Sequence, residues 1–306
     1  MKDEAAKGVI AMVLACAIWG ISPIFYKALA HIPAIDVLAH RMVWSLVFFG
    51  LVLLVQGRIR QVWDALASRE RLPVIALAGL IISFNWVMFI YAVQVGQTTQ
   101  SSLGYYIYPL VAVLIGRVVF AEVLTRAQMV AVALACCAVC VLTFGLGAAP
   151  VLGIALAVSF GFYGLLKKRL DMGPVVSVTA EVVMLTPIAV IILLQSYHNG
   201  RAVFGSGVDD LILLILSGPV TALPLILFSY AARRLAMATV GLLQYINPTL
   251  QFACAVFLFA EPFGGWHLLT FAMIWTAVAI YSAAALRQDR ARRTAAKQAS
   301  ASGTVE

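Results

Sequence analysis

Ten apolar runs follow one another along this chain, each long enough to form a helix across a lipid bilayer. A hydrocarbon core about 30 Å thick needs about 20 residues at 1.5 Å rise per residue. The runs cover 8–29, 36–56, 73–95, 101–120, 127–146, 150–168, 174–195, 210–230, 238–259 and 266–286. They are continuous, without the apolar–polar alternation that a transmembrane barrel requires. Composition agrees: 63% of the 306 residues are hydrophobic and 11% are charged. Soluble domains have about 45–50% apolar and about 25% charged residues. So few polar residues cannot cover so much apolar surface. An ordinary soluble enzyme, a disordered chain and a secreted disulfide scaffold are therefore excluded. The expected class is an all-α polytopic membrane protein with the lipid bilayer as its solvent.

The formal charge is +8. Its basic residues do not form one patch with interleaved aromatics, so nucleic acid is not an expected partner. They cluster between the apolar runs, as membrane topology demands. With the N-terminus inside, Lys2, Lys7, the Arg58–Arg71 group, Arg117, Arg126, Lys167 to Arg169, Arg233, Arg234 and the tail from Arg287 all fall on the cytoplasmic side. Only Arg201 falls in an outer loop, while Lys27 and Arg41 lie near the outer ends of the first two spans. Both termini inside requires an even number of spans. Ala28-Leu29-Ala30 resembles a signal cleavage site, but the long apolar stretch and Lys27 argue for an uncleaved anchor. Residues 1–7 are read as a cytoplasmic tail, and 287–306 as a polar, Ala-rich, disordered one.

The chain matches itself at a shift of 139 residues. Ala78-Gly79 falls on Ser217-Gly218, and Phe89, Tyr91 and Ala92 fall on Phe228, Tyr230 and Ala231. Leu103, Tyr106 and Pro109 fall on Leu242, Tyr245 and Pro248, and Phe120-Ala121-Glu122 on Phe259-Ala260-Glu261. At a shift of 144, Trp19-Gly20 meets Tyr163-Gly164. Residues 8–146 and 150–286 thus read as two five-helix units. Five is odd, so the second unit must enter the membrane inverted. Inverted repeats are typical of secondary transporters, whose sites lie near the midplane between the repeats.

Short motifs in order along residues 7–288 resemble one family. They are Trp19-Gly20 with Pro23 and Lys27, His40-Arg41, Asn85-Trp86, Ser102-Leu103-Gly104-Tyr105-Tyr106 through Pro109, and Gln244-Tyr245-Ile246-Asn247-Pro248. This pattern resembles the EamA family of the drug/metabolite transporter superfamily, and within it the RarD-type branch linked by name to chloramphenicol sensitivity. The resemblance implies a permease for small metabolites or drugs in a bacterial-type inner membrane.

Ionisable groups inside spans are candidates for function, because a charge in hydrocarbon needs a cavity or a partner. Glu181 lies about two turns into the seventh span. It reads either as a cavity carboxylate that exchanges a proton or pairs with substrate, or as a structural group bonded to a neighbouring helix. Lys27 and Arg41 form a basic outer ring that gates or attracts anions, or they snorkel to headgroups. His40 is a candidate proton relay, with Asp36 one turn earlier either as its partner or as a helix cap. Asn85, Trp86, Tyr105, Tyr106, Tyr108, Tyr230, Gln244, Tyr245, Asn247 and Gln251 offer aromatic faces with a few hydrogen-bonding heads. They line a cavity or join helices. Pro109 and Pro248 free backbone carbonyls for substrate, or permit a kink. Glu122 and Glu261 read as loop anchors. Cys136 and Cys140 share a helix face without ligand partners, so no metal is expected. There is no phosphate loop, so ATP cannot drive the chain directly and no cofactor is expected. The function read from the residues is a secondary transporter working by alternating access on a small or amphipathic solute, exporting it with coupling to protons. The alternative is an uncoupled facilitator for small metabolites such as amino acids.

Overall fold

The computed structural model describes residues 2–120, 124–200, 207–235 and 237–302. These form twelve α-helices and one π-helical turn, with no strand among the described residues. The helices are α1 (Lys2–Ala28), α2 (Ala34–Val55), α3 (Ile59–Ala67), α4 (Arg71–Gln94), α5 (Thr98–Phe120) and α6 (Arg126–Leu146). They continue with α7 (Val151–Lys168), α8 (Pro174–His198), α9 (Val208–Ala232), α10 (Met237–Leu243), α11 (Ile246–Ala253) and α12 (Gly265–Ser302). The π turn, Cys254–Leu258, follows α11 directly.

Seven of these, α1, α2, α4, α6, α8, α9 and α12, carry apolar stretches of 20 to 25 residues, long enough to cross a membrane. Their boundaries follow from local chemistry. Pro33 and Pro150 precede α2 and α7, and Pro174 opens α8, where a missing N–H costs nothing. Thr125 and Gln128 form a reciprocal capping box at the start of α6. Gly147 ends that helix with φ at 68°, a conformation that favours glycine.

Two local expectations change, and one short helix is added. The run 238–259 is not one helix: the chain turns at Gln244 and Tyr245, resumes as α11, and closes on the π turn. Pro248 lacks the N–H that would bond the Gln244 carbonyl, and Asn247 N–H takes that carbonyl at 3.1 Å instead. The equivalent Pro109 leaves α5 unbroken. The tail from Arg287, expected to lack structure, continues α12 to Ser302. Its Ala, Arg, Lys and Gln residues are strong helix formers. Between the second and third runs a short helix, α3, buries Val62 and Ala65 and leaves Trp63 exposed.

Packing pairs the helices in a reciprocal way. α1 lies on α9 and α7 on α4; α1 also lies on α11 and α7 on α5; α2 lies on α9 and α8 on α4. The contacts α2 with α8, α5 with α11 and α6 with α12 join the two halves. The main buried cluster gathers Tyr26, Phe49, Phe89, Val176 and Val182 at the meeting of α1, α2, α4 and α8. Leu51, Val55, Phe144 and Ile191 point outwards and are exposed. Such an apolar exterior is what lipid requires and water would penalise.

Candidate functional site

Arg41 stands at one end of the central region. It lies in the second turn of α2 and is 6% exposed. Its guanidinium carbon sits 4.1 Å from the ring centre of Trp86 on α4 and 5.6 Å from that of Tyr26 on α1. Its Nε is buried without a hydrogen-bond partner, and no ion pair to it occurs among the described residues. A desolvated cation–π contact returns about 2 kcal/mol or more. Burying an ion in protein costs several kcal/mol, so the ring faces offset only part of the penalty.

From Tyr26 a train of rings crosses the molecule. Tyr26 meets Phe89 at 5.7 Å between centroids, Phe89 meets Tyr105 at 5.9 Å, Tyr105 meets Phe160 at 5.9 Å, and Phe160 meets Tyr163 at 6.0 Å. Most of these pairs are edge-to-face, the arrangement ring quadrupoles favour. At the far end the Tyr163 hydroxyl donates to Glu181 Oε2 at 3.1 Å. Glu181 is 1% exposed. Its partners come from α7 and from its own helix: Lys167 Nζ on α7 lies 2.6 Å from Oε1, and Ser177 Oγ donates to the same oxygen at 3.1 Å. Lys167 also donates to Ser177 and sits 5.3 Å from the Tyr163 ring centre. A buried carboxylate without a partner is costly, and a cation on the facing helix removes that cost.

Asn85 is fully buried and makes three side-chain hydrogen bonds. Its Nδ2 donates to Leu156 O at 3.0 Å and Ser159 Oγ at 2.8 Å on α7, and its Oδ1 accepts from Tyr105 at 3.1 Å. It clamps α4, α5 and α7, with both N–H donors of its amide engaged. Tyr106 belongs to a second cluster, stacked on Tyr245 at 6.3 Å and hydroxyl-bonded to Thr249 at 2.7 Å. Gln244 accepts from Tyr108 at 3.2 Å, and Tyr108 packs on Phe160 at 5.0 Å, so the ninth run touches the ring train. Asn247 accepts from Gln251 within α11.

Lys27 donates to the Val93 and Gln94 carbonyls at 3.4 Å, satisfying the end of α4. Tyr230 lies under Arg234, 3.5 Å from ring centre to guanidinium, where Arg234 also pairs with Glu4. His40 is half-buried on α2. Asp36 makes no cap bond; it accepts from Ser196 Oγ on α8 at 2.8 Å. Glu261, 7% exposed, reaches across to accept from the Thr98 and Thr99 N–H groups at 2.7 Å, capping α5 from another part of the chain. Glu122 and Arg201 lie outside the described residues. Arg41, Asn85, Trp86 and Tyr105 thus come together; Glu181 joins them through rings; Tyr106, Tyr245, Tyr230 and Lys27 lie elsewhere. Sequence reasoning missed Lys167, Tyr163 and Tyr26. The i,i+4 spacing of Tyr163 with Lys167, and of Ser177 with Glu181, puts each pair on one helix face and is the signal that was there to find. A separate groove of about 330 Å³ between α4 and α7, lined by Leu80, Phe84, Val158 and Phe162, is apolar and includes none of the expected site residues.

An all-helical bundle with an apolar exterior and seven membrane-length helices is the build of a multi-pass membrane protein. Residues 6–144 match the EamA-like transporter family model. The chain is 40% identical over 294 residues to an uncharacterized transporter, YojE, of Bacillus subtilis, covering 95% of this chain and 98% of that protein. It is 36% identical to the protein RarD of Escherichia coli over 94% of this chain and 97% of that one. Protein RarD of Streptomyces exfoliatus is 40% identical over 99% of this chain and 96% of its own length. A crystal structure aligns with a TM-score of 0.60 over 90% of this chain and 96% of that chain at 15% identity, which shows a shared fold alone. The chain belongs to the EamA-like transporter family, in its RarD-type branch.

Proposed function

We propose that the protein is a secondary transporter that moves a small metabolite or amphipathic drug-like solute across the bacterial inner membrane by alternating access. Ten spans form two inverted five-helix repeats, 8–146 and 150–286, with both termini cytoplasmic. The observation that carries this reading is the reciprocal packing: exchanging the two halves maps α1 on α9 to α7 on α4, and α2 on α9 to α8 on α4. The glycines matched at a shift of 139 support it. A Cβ on Gly79 would stand 3.1 Å from Leu185 on α8, and one on Gly218 would stand 2.5 Å from the Trp44 backbone on α2. Equivalent glycines thus admit equivalent neighbours. Two packings of such halves, related by exchange, open the centre to either side.

The solute path in this reading is the ring train between Arg41 and the Lys167–Glu181 pair. Export is the proposed direction, and Glu181 is the proposed proton-coupling group, releasing Lys167 when protonated. A second reading, an uncoupled facilitator, is favoured by the same ion pair, since Lys167 gives Glu181 a resident partner. Glu181→Gln beside the wild type separates the two. It keeps the shape and one acceptor oxygen for Tyr163 or Ser177, gives up the ion pair with Lys167 and cannot titrate. In proteoliposomes it is expected to abolish accumulation driven by a proton gradient while sparing exchange at equal pH. Accumulation at the wild-type level in Glu181→Gln would make Glu181 structural and move the coupling to another group, and a wild type that never accumulates solute under a proton gradient would leave the facilitator.

A further inference from the structure

Among the described residues, Arg41 differs from the other cations that reach into the protein. Lys27 has two carbonyls, Lys167 has Glu181 and Arg234 has Glu4. Arg41 has only ring faces, and its Nε is buried without an acceptor. The guanidinium carbon lies over the Trp86 ring, and the Nε–H donor beside it has no acceptor, which leaves N–H groups for a partner. The guanidinium edge is a planar fork of donors whose spacing fits two carboxylate oxygens. Asp36, the carboxylate on the same helix, is engaged by Ser196 and forms no ion pair with Arg41. His40, the neighbouring titratable group on α2, is half-buried, and the side chains facing Arg41 from α1 and α4 are Tyr26 and Trp86. At the far end of the ring train the charges of Lys167 and Glu181 cancel. The central region therefore holds one uncompensated positive charge beside aromatic surface.

The geometry points to Arg41 as the recognition group for a solute with one negative charge, a carboxylate on an aromatic or apolar body. The carboxylate takes the guanidinium edge, and the body lies along Trp86, Phe89 and Tyr105. This rests on the transporter reading and adds to it the charge of the substrate. A bidentate charge-assisted pair replaces water at both partners and is about twice as strong as a neutral hydrogen bond.

The test uses the purified protein in nanodiscs of phosphatidylcholine alone, so that no anionic headgroup competes for Arg41. Binding is measured by calorimetry for phenylacetate against phenylacetamide and for benzoate against benzamide. Each pair has nearly one shape and differs in charge. The acids are expected to bind at least about tenfold more tightly than their amides, a step of 1.4 kcal/mol. Arg41→Gln is expected to remove the difference. Equal binding within both pairs, or an undiminished preference in Arg41→Gln, overturns the proposal. If Arg41→Gln does not fold, the wild-type comparison decides alone. If binding of the acids appears only when phosphatidylglycerol is absent, an anionic lipid shares the site and the anion chemistry stands. Proteoliposome exchange keeps the two readings apart. An acid that binds through Arg41 but never crosses leaves the site and removes the transporter. Solute exchange that is indifferent to both carboxylate and Arg41 leaves the transporter and removes the anion site.

Discussion

The buried pair of Lys167 and Glu181 gives the strongest residue-level test. Glu181 is 1% exposed and Lys167 is its only cation within 4.0 Å among the described residues. Removing one partner of a buried pair leaves an uncompensated charge and costs about 3–5 kcal/mol, whereas replacing both is often near neutral. Lys167→Met is therefore expected to lower stability strongly. Lys167→Met with Glu181→Gln is expected to recover most of the loss, read as unfolding of the detergent-solubilised protein in a double-mutant cycle. Asn85 gives a smaller effect. An interhelical hydrogen bond in a membrane protein averages about 0.6 kcal/mol, so losing three to Asn85→Ala lowers stability by about 2 kcal/mol. Sequence reasoning identified Asn85 as polar and intramembrane but could not tell clamp from ligand. That distinction depends on Leu156 and Ser159, more than 70 positions away.

Between helices, small residues decide how close two backbones come. α5 and α7 meet at Gly104 and Gly153, where a Cβ on Gly104 would stand 2.5 Å from the Gly153 carbonyl oxygen. No rotamer relieves a clash with backbone, so α5 and α7 must separate. Gly104→Ala is expected to cost about 1–3 kcal/mol, measured as a lower melting temperature in detergent, while Gly164→Ala, which meets nothing within 4 Å, is expected to cost far less. The start of α6 is legible residue by residue, since Thr125 and Gln128 form a local box. The break between α10 and α11 is not. Pro109 and Pro248 look alike in sequence, yet α5 stays continuous and the ninth run turns. Pro248 O also accepts from Ser102 Oγ at 2.9 Å, a contact between the halves that no local pattern encodes.

For the whole molecule, the inverted repeat makes two claims. Residues 73–120 and 212–259 are expected to superpose by a rotation of about 180° around an axis in the membrane plane, and an axis along the membrane normal would remove the inversion. Topology has its own measurement. Cysteine at Gly205 in a cysteine-free background is expected to react with an impermeant maleimide in intact cells, and cysteine at Ser68 is expected not to react. The apolar runs behind the seven membrane-length helices and the correspondence of Gly79 with Gly218 were legible in the sequence alone, because hydrophobic length and residue spacing are local properties. The class of protein followed from them. What only the tertiary structure decided is which intramembrane groups meet: that Glu181 is matched by Lys167, that Asn85 is spent between helices, and that Arg41 is left facing rings. Burial of a charge is visible in a sequence. Its partner is not, because the helix that supplies it is chosen by packing across the bundle.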